Sequence, residues 1–155
     1  MKSCAFFGHR NMNVNQYREK LLQIIIDLID NYGVTQFYSV YRGDFDVYCS
    51  HLIHELKGSY PQIRNSMVLS YIPEAKGDPD YDFTLPKCFD DSVYLLERSV
   101  PKRLAIIETN KCLVDMVDYI VAGVITHCGG AYMACEYAYK RKKPIISVID
   151  GWEII

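Results

Sequence analysis

"YIVAGVITHCGGAYMACEYAYKRKKPIISV", residues 119 to 148, decides the fold class. Tyr119 to Ile125 is an apolar run without polar alternation, which is how a strand buried on both faces reads. "THCGG" ends that run, Ala131 to Lys142 can be helical, and Pro144 to Ile149 is a second β-rich stretch. Strand, helix and strand in so short a span make a crossover unit, and crossovers of this kind join parallel strands.

The same alternation runs through the rest of the chain. Ser3 to Phe7 reads as a first strand, and from Asn15 to Tyr32 the residues Leu21, Leu22, Ile25, Leu28 and Ile29 recur at helical spacing. Asn13 or Asn15 is the expected cap of that helix and Gly33 its end. Thr35 to Val40 predicts a strand, Phe45 to Leu56 a helix, and Ser66 to Ile72 a third strand. Pro73 to Pro86, "PEAKGDPDYDFTLP", has three prolines and three aspartates without periodicity and reads as a long surface loop, of the kind that often serves as a lid. Asp91 to Glu97 is readable as strand or loop, Pro101 marks a boundary, and Arg103 to Val117 predicts a further helix. Alternating strands and helices imply an α/β protein with a mostly parallel central sheet under helices on both faces.

Bulk composition narrows the function classes. The 155 residues suit one domain, residues 1 to 155, and a formal net charge of −2 argues against general attraction to nucleic acid or anionic membrane. No stretch approaches the ~20 apolar residues of a membrane span. Six cysteines without a CxxC pair point to a reducing, cytoplasmic compartment where thiols pack as small hydrophobes. His51 and His54 are three apart on one helix without further ligands, so no metal or other cofactor is expected. Lys140 to Lys143 resembles a nucleic-acid patch but suits a solvated helix C-terminus, where cations complement the dipole. Nucleic acid is therefore a disfavoured partner.

In an open parallel sheet, ligands lie beyond the carboxyl ends of the strands. Three such ends are unusual here: Gly8, His9 and Arg10 after the first strand, "YRGDFD" (Tyr41 to Asp46) after the second, and "HCGGAY" (His127 to Tyr132) after the strand at 119 to 125. Gly129, Gly130 and the Ala131 amide suit a phosphate cradle, because backbone without Cβ atoms can approach an anion at a helix start. His9, Arg10 and Arg42 are candidate phosphate donors, with Gly8 and Gly43 beside them. The structural alternatives are that His9 caps a turn and that Arg10 pairs with the acidic loop. Tyr41 is a candidate for stacking on a base, and Asp46 or Asn110 for reading ribose hydroxyls. Cys128 beside His127 lacks an orienting partner for a nucleophile.

In order along the chain, "FFGHR", "GVTQFYSVYRGDFD", "LKGSYPQI", "VLSYIP", "VPKRLAI", "TNKCLVDMVDYIVAGV" and "GGAYMACEYAYKRKKPIISV" resemble the blocks of the SLOG superfamily, nearest its small stand-alone branch beginning with F-x-GHR. The resemblance covers Cys4 to Val148. It implies a Rossmann-like three-layer fold, a nucleotide-derived ligand such as a nucleoside phosphate or an ADP-ribose-type signal, and a homo-oligomer, for which thirteen tyrosines would suit an interface. The superfamily also includes cytokinin-activating phosphoribohydrolases and a single-strand DNA-loading protein. Phosphoribohydrolases carry an arginine-lysine pair and then P-G-G-x-G-T-x-x-E. Here Asn110 and Lys111 stand for the pair, Gly129, Gly130 and Glu136 keep their spacing, and Cys128, Tyr132 and Met133 replace the proline, third glycine and threonine. With half of that motif gone, the expected function is binding, as a sensor or a sequestering protein. The enzymatic alternative is a nucleoside-monophosphate phosphoribohydrolase with Glu136 as its catalytic carboxylate.

Overall fold

The computed structural model describes residues 1 to 71, 84 to 97 and 100 to 152. Eleven elements follow in order: β1 (Lys2–Gly8), a 3-10 turn (Val14–Tyr17), α1 (Arg18–Tyr32), β2 (Val34–Ser39), α2 (Asp44–Leu56), β3 (Arg64–Leu69), β4 (Asp91–Tyr94), α3 (Lys102–Met116), β5 (Tyr119–Gly123), α4 (Gly130–Lys140) and β6 (Ile145–Ser147). The strands form one parallel sheet in the order β4-β3-β2-β1-β5-β6. This is a three-layer, Rossmann-like α/β arrangement. Asp91–Tyr94, readable either way in the sequence, is its edge strand. The predicted loop at Pro73 to Pro86 lies mostly outside the described residues.

Strand alternation distributes the core. On β1, Cys4 and Phe6 face a cluster with Leu21, Ile25 and Leu28 of α1 and Phe45, Cys49 and Leu52 of α2. Ala5 and Phe7, one residue out of phase, face Leu113 and Val114 of α3 and Ala134, Cys135 and Ala138 of α4. Two-sided burial is why β1 and β5 carry no polar alternation: Cys4, Ala5, Phe6, Ile120, Val121 and Ala122 are wholly buried. Four cysteines (Cys4, Cys49, Cys88 and Cys135) are buried free thiols, and burial pushes Cys135 up to about 12, so it packs as a hydrophobe and does not ionise at neutral pH.

Element ends explain the differences from the sequence reading. Gly33 terminates α1 in the left-handed region at φ 71°, as expected. Neither Asn13 nor Asn15 caps the helix. Asn13 precedes the 3-10 turn, Tyr17 takes the N-cap position of α1, and neither makes a side-chain cap bond. β3 begins two residues before Ser66, and the buried carboxamide of Asn65 ties it to the segment ahead of β4 and to α2, donating to Cys88 O at 3.0 Å and to Ser50 O at 3.3 Å.

The sheet centre shows a close approach that the linear sequence hides. A Cβ on Gly8 would lie 2.2 Å from Cγ of Phe45, and one on Gly123 would lie 2.3 Å from its Cδ1 and Cε1. Gly8 and Gly123 are register partners on β1 and β5, so one aromatic ring at the start of α2 sits on a two-glycine platform. Gly123→Ala is accordingly expected to destabilise the fold by about 1–3 kcal/mol, the usual cost of overpacking a tight core. Urea unfolding measures it, and an unchanged midpoint would show that the ring can move aside.

Candidate functional site

The chain builds β1, β2, β3 and β4 outward on one side of β1, then returns to place β5 and β6 on the other. The reversal between β1 and β5 is a topological switch point, where loops leaving the two strands diverge and open a crevice. The crevice there has a volume of about 240 Å³. Gly8, His9, Arg10, Arg42, Gly43, Asp46, Asn110, Gly129, Gly130 and Ala131 all line it, together with Phe7, Val40 and Ile106. Three separate strand ends and one helix face thus line one crevice.

The wall from α4 is amide-rich. Gly129 takes φ 94° and ψ 172° ahead of the helix, a backbone closed to ordinary side chains, and a Cβ on Gly129 or Gly130 would meet open space. The first amides of a helix have no acceptor within it, so Gly130 and Ala131 bring N–H groups and the positive end of the α4 dipole to the crevice. The N-terminus of α2 differs. Asp44 N–H donates to Arg10 O at 2.8 Å and Phe45 N–H to His9 O at 3.4 Å, so its leading amides hold the β1 loop. Gly43 is required there because a Cβ would lie 2.5 Å from Cα of Arg10.

Arg10 and Arg42 are exposed and, among the described residues, form no ion pair. The Arg42 guanidinium lies 6.0 Å from the ring centroid of Tyr71. Two further residues of the crevice wall each carry an orphaned buried oxygen. Asp46 is 6% exposed and its Oδ1 has no hydrogen-bond partner; Asn110 is 9% exposed and its Oδ1 also has none. Ser39 and Ser50 donate to the Asp46 carbonyl at 3.4 and 2.9 Å, which fixes the backbone carrying the carboxylate. Burial pushes the Asp46 carboxyl up to about 7, against the amides of Arg42 and Gly8 and the charges of Arg42 and Arg10. A buried acceptor without a donor costs about 1–3 kcal/mol, so both positions favour a hydroxyl or amine brought by a ligand.

Several assignments change in three dimensions. His9 lines the crevice, yet its Nε2 accepts from the amides of Ile125 at 2.7 Å and Thr126 at 3.3 Å, so this nitrogen cannot donate to phosphate. The turn-capping alternative holds, and burial lowers the imidazole's basicity, which keeps the acceptor in place. Gly8 reaches the crevice edge but owes its lack of Cβ to Phe45. Tyr41 turns away. Its backbone is left-handed at φ 56°, and its ring packs edge-on against Phe89 at 5.2 Å and His51 at 6.2 Å, so a stacking role in the crevice is withdrawn. Glu136 lies outside the crevice, on an adjoining groove between α3 and α4.

Part of the basic cluster is consumed by the fold. Arg141 Nε donates to Asp115 Oδ1 at 3.0 Å, and Lys143 Nζ to the carbonyls of Asp115 and Val117 at 3.2 and 2.7 Å, closing the C-terminal end of α3. Among the described residues, no group of three or more His, Cys, Asp or Glu could hold a metal, and no helix is long and apolar enough to cross a membrane.

No family model matches the sequence, and no curated protein matches it. Solved structures share its fold. DNA processing protein A from Streptococcus pneumoniae superposes with a TM-score of 0.63 at 14% identity, over 94% of this chain and 50% of that one. DNA processing protein A from Helicobacter pylori, described with a single-stranded DNA binding mode, gives 0.62 at 13% identity over 94% and 64%. The Moco carrier protein from Chlamydomonas reinhardtii gives 0.52 at 15% identity over 94% and 75%. The chain thus spans less than two thirds of either DNA processing protein. At these identities the likeness is one of fold alone.

Proposed function

We propose that the protein binds a nucleotide-derived small molecule through its phosphate and pentose, in the crevice between the ends of β1, β2 and β5. The observation that carries this reading is the pairing of opposites in one cleft. Asp46 Oδ1 and Asn110 Oδ1 are buried acceptors without donors, while Arg10, Arg42 and the first amides of α4 are donors without an acceptor among the described residues. A molecule with vicinal hydroxyls at one end and phosphate at the other satisfies both sets. In this role His9 is a positioning residue, holding Ile125 and Thr126 so that the loop to Gly129 keeps its shape.

Binding without turnover fits the site better than hydrolysis. Glu136, the carboxylate that hydrolysis would use, is on the adjoining groove and outside the crevice. A second reading has support from the fold: the Helicobacter pylori relative is described as binding single-stranded DNA, and the cationic crevice could receive a backbone phosphate. The sequence-based exclusion of nucleic acid therefore becomes a question for experiment.

The test is a thermal-shift panel of ribose 5-phosphate, AMP and ADP-ribose, with chromatography of each mixture, and a retardation assay with oligothymidylate. A ligand at a hundred times its dissociation constant adds about 2.7 kcal/mol, or roughly 5–10 °C for a chain of this size. The expected result is stabilisation with the ligand recovered unchanged. Released free base would establish the hydrolase instead, salt-sensitive retardation would favour the DNA reading, and no shift with any of them would overturn the proposal.

A further inference from the structure

We infer that the groove between α3 and α4 is the base subsite of the same ligand, an inference that rests on the phosphate-and-pentose reading of the crevice. The groove has a volume of about 260 Å³ and is walled by Ile106 and Ile107 of α3 and by Met133, Ala134 and Tyr137 of α4. It shares Ile106, Asn110 and Gly130 with the crevice, so the two hollows meet over the first turn of α4.

From a pentose between Asp46 and Asn110, with its phosphate at the arginines and the amides of Gly130 and Ala131, the base has two ways to go. Back toward β2 it meets Arg10 and Arg42, which are polar. Across Gly130 it enters an apolar slot whose walls suit the faces of a flat heterocycle. Asn110 stands where the two hollows join, and its unpartnered Oδ1 can accept a hydrogen bond from the pentose or from a base amine. Met133, half exposed on the wall of the groove, is placed to pack against one face of a base. Glu136, on the polar margin of the groove with Lys111 and Lys140, becomes an acceptor for the edge of the base. The occupant is thus a nucleoside phosphate and not a bare sugar phosphate.

Isothermal titration with ribose 5-phosphate and with AMP tests this, in the natural protein and in an uncharged Ile107→Asn/Met133→Asn variant, with mass in solution followed by light scattering. Met133→Asn alone serves where the double variant folds poorly. The natural protein is expected to bind AMP about tenfold or more tightly than ribose 5-phosphate, as stacking on one base provides. The variants should lose most of that preference and keep their affinity for ribose 5-phosphate. Equal affinity for both ligands in the natural protein would overturn the base subsite and leave the crevice reading intact. No binding of either would overturn both. Conversion of a dimer to a monomer by Met133→Asn would assign the groove to a contact between copies, which also overturns the inference.

Discussion

Asp46→Asn is expected to stabilise the protein by on the order of 4 kcal/mol at pH 8 and by almost nothing at pH 4. In the unfolded chain the Asp46 carboxyl ionises near its ordinary value of about 3.9. In the fold it is 6% exposed, and desolvation, the largest influence on it, raises its pKa to about 7. A group whose folded pKa is raised binds its proton more tightly in the native state. Its full contribution to stability is therefore present below pH ~4, declines as pH rises through 7, and is flat beyond. Asparagine keeps the shape, removes the charge and escapes that decline. His9 works in the opposite sense: its lowered pKa makes protonation below its ordinary value destabilising, but it is present in both proteins and cancels from their difference. Urea unfolding of both proteins at pH 4, 6 and 8 measures the effect, and an equal gain at every pH would show that the carboxyl does not titrate in this window.

The same substitution should weaken ligand binding, because a stabilising change at a buried, unsatisfied group removes what the group was poised to contact. The pH dependence of affinity separates two ways of binding. Hydroxyls donating to Asp46 stabilise the carboxylate, so ribose 5-phosphate should bind more tightly as pH rises toward 7 and release protons as it binds. Compared with Asp46→Asn, which shares the ionisation of the ligand's own phosphate near pH ~6, a ligand held by phosphate alone would lose affinity in the natural protein as the carboxylate ionises.

How much of this was legible in the sequence follows from what is local and what is not. Strand-end residues of an alternating β and α pattern collect on one rim because parallel strands all end there, so Arg10, Arg42, Asp46 and Gly129 could be placed together from their positions alone. Tyr41 could not, since a single left-handed residue reverses the side of the loop to which a ring points, and tyrosine gives no warning of φ 56°. The acceptor role of His9 depends on amides 116 and 117 positions away, at Ile125 and Thr126. Gly8 reads as a ligand-facing glycine until Phe45 is seen against it. Phe7, Val40 and Ile106 line the crevice without a distinguishing signal, being apolar residues in a sequence that is half apolar. The buried strands β1 and β5 were readable because burial on both faces forces an unbroken apolar run.

The second large effect concerns the two arginines. Each charged hydrogen bond to phosphate is worth about 1.5–3 kcal/mol, so Arg10→Ala or Arg42→Ala should weaken ribose 5-phosphate binding by roughly 10- to 150-fold. The double variant should lose on the order of 10²–10⁴, falling short of the sum if both side chains grip the same phosphate oxygen pair. Stability should respond differently. Both guanidinium groups are exposed and unpaired among the described residues, so unfolding at pH 5 should be nearly unchanged. Their positive charges do help to hold the Asp46 carboxyl down, and without them its pKa rises further. The double variant should therefore lose stability only where that carboxyl is ionised, above pH ~7, and an Asp46→Asn background should abolish the loss. Parallel loss of stability and affinity at pH 5 would make the arginines part of the fold, whereas lost affinity with an unchanged unfolding midpoint places them on the ligand.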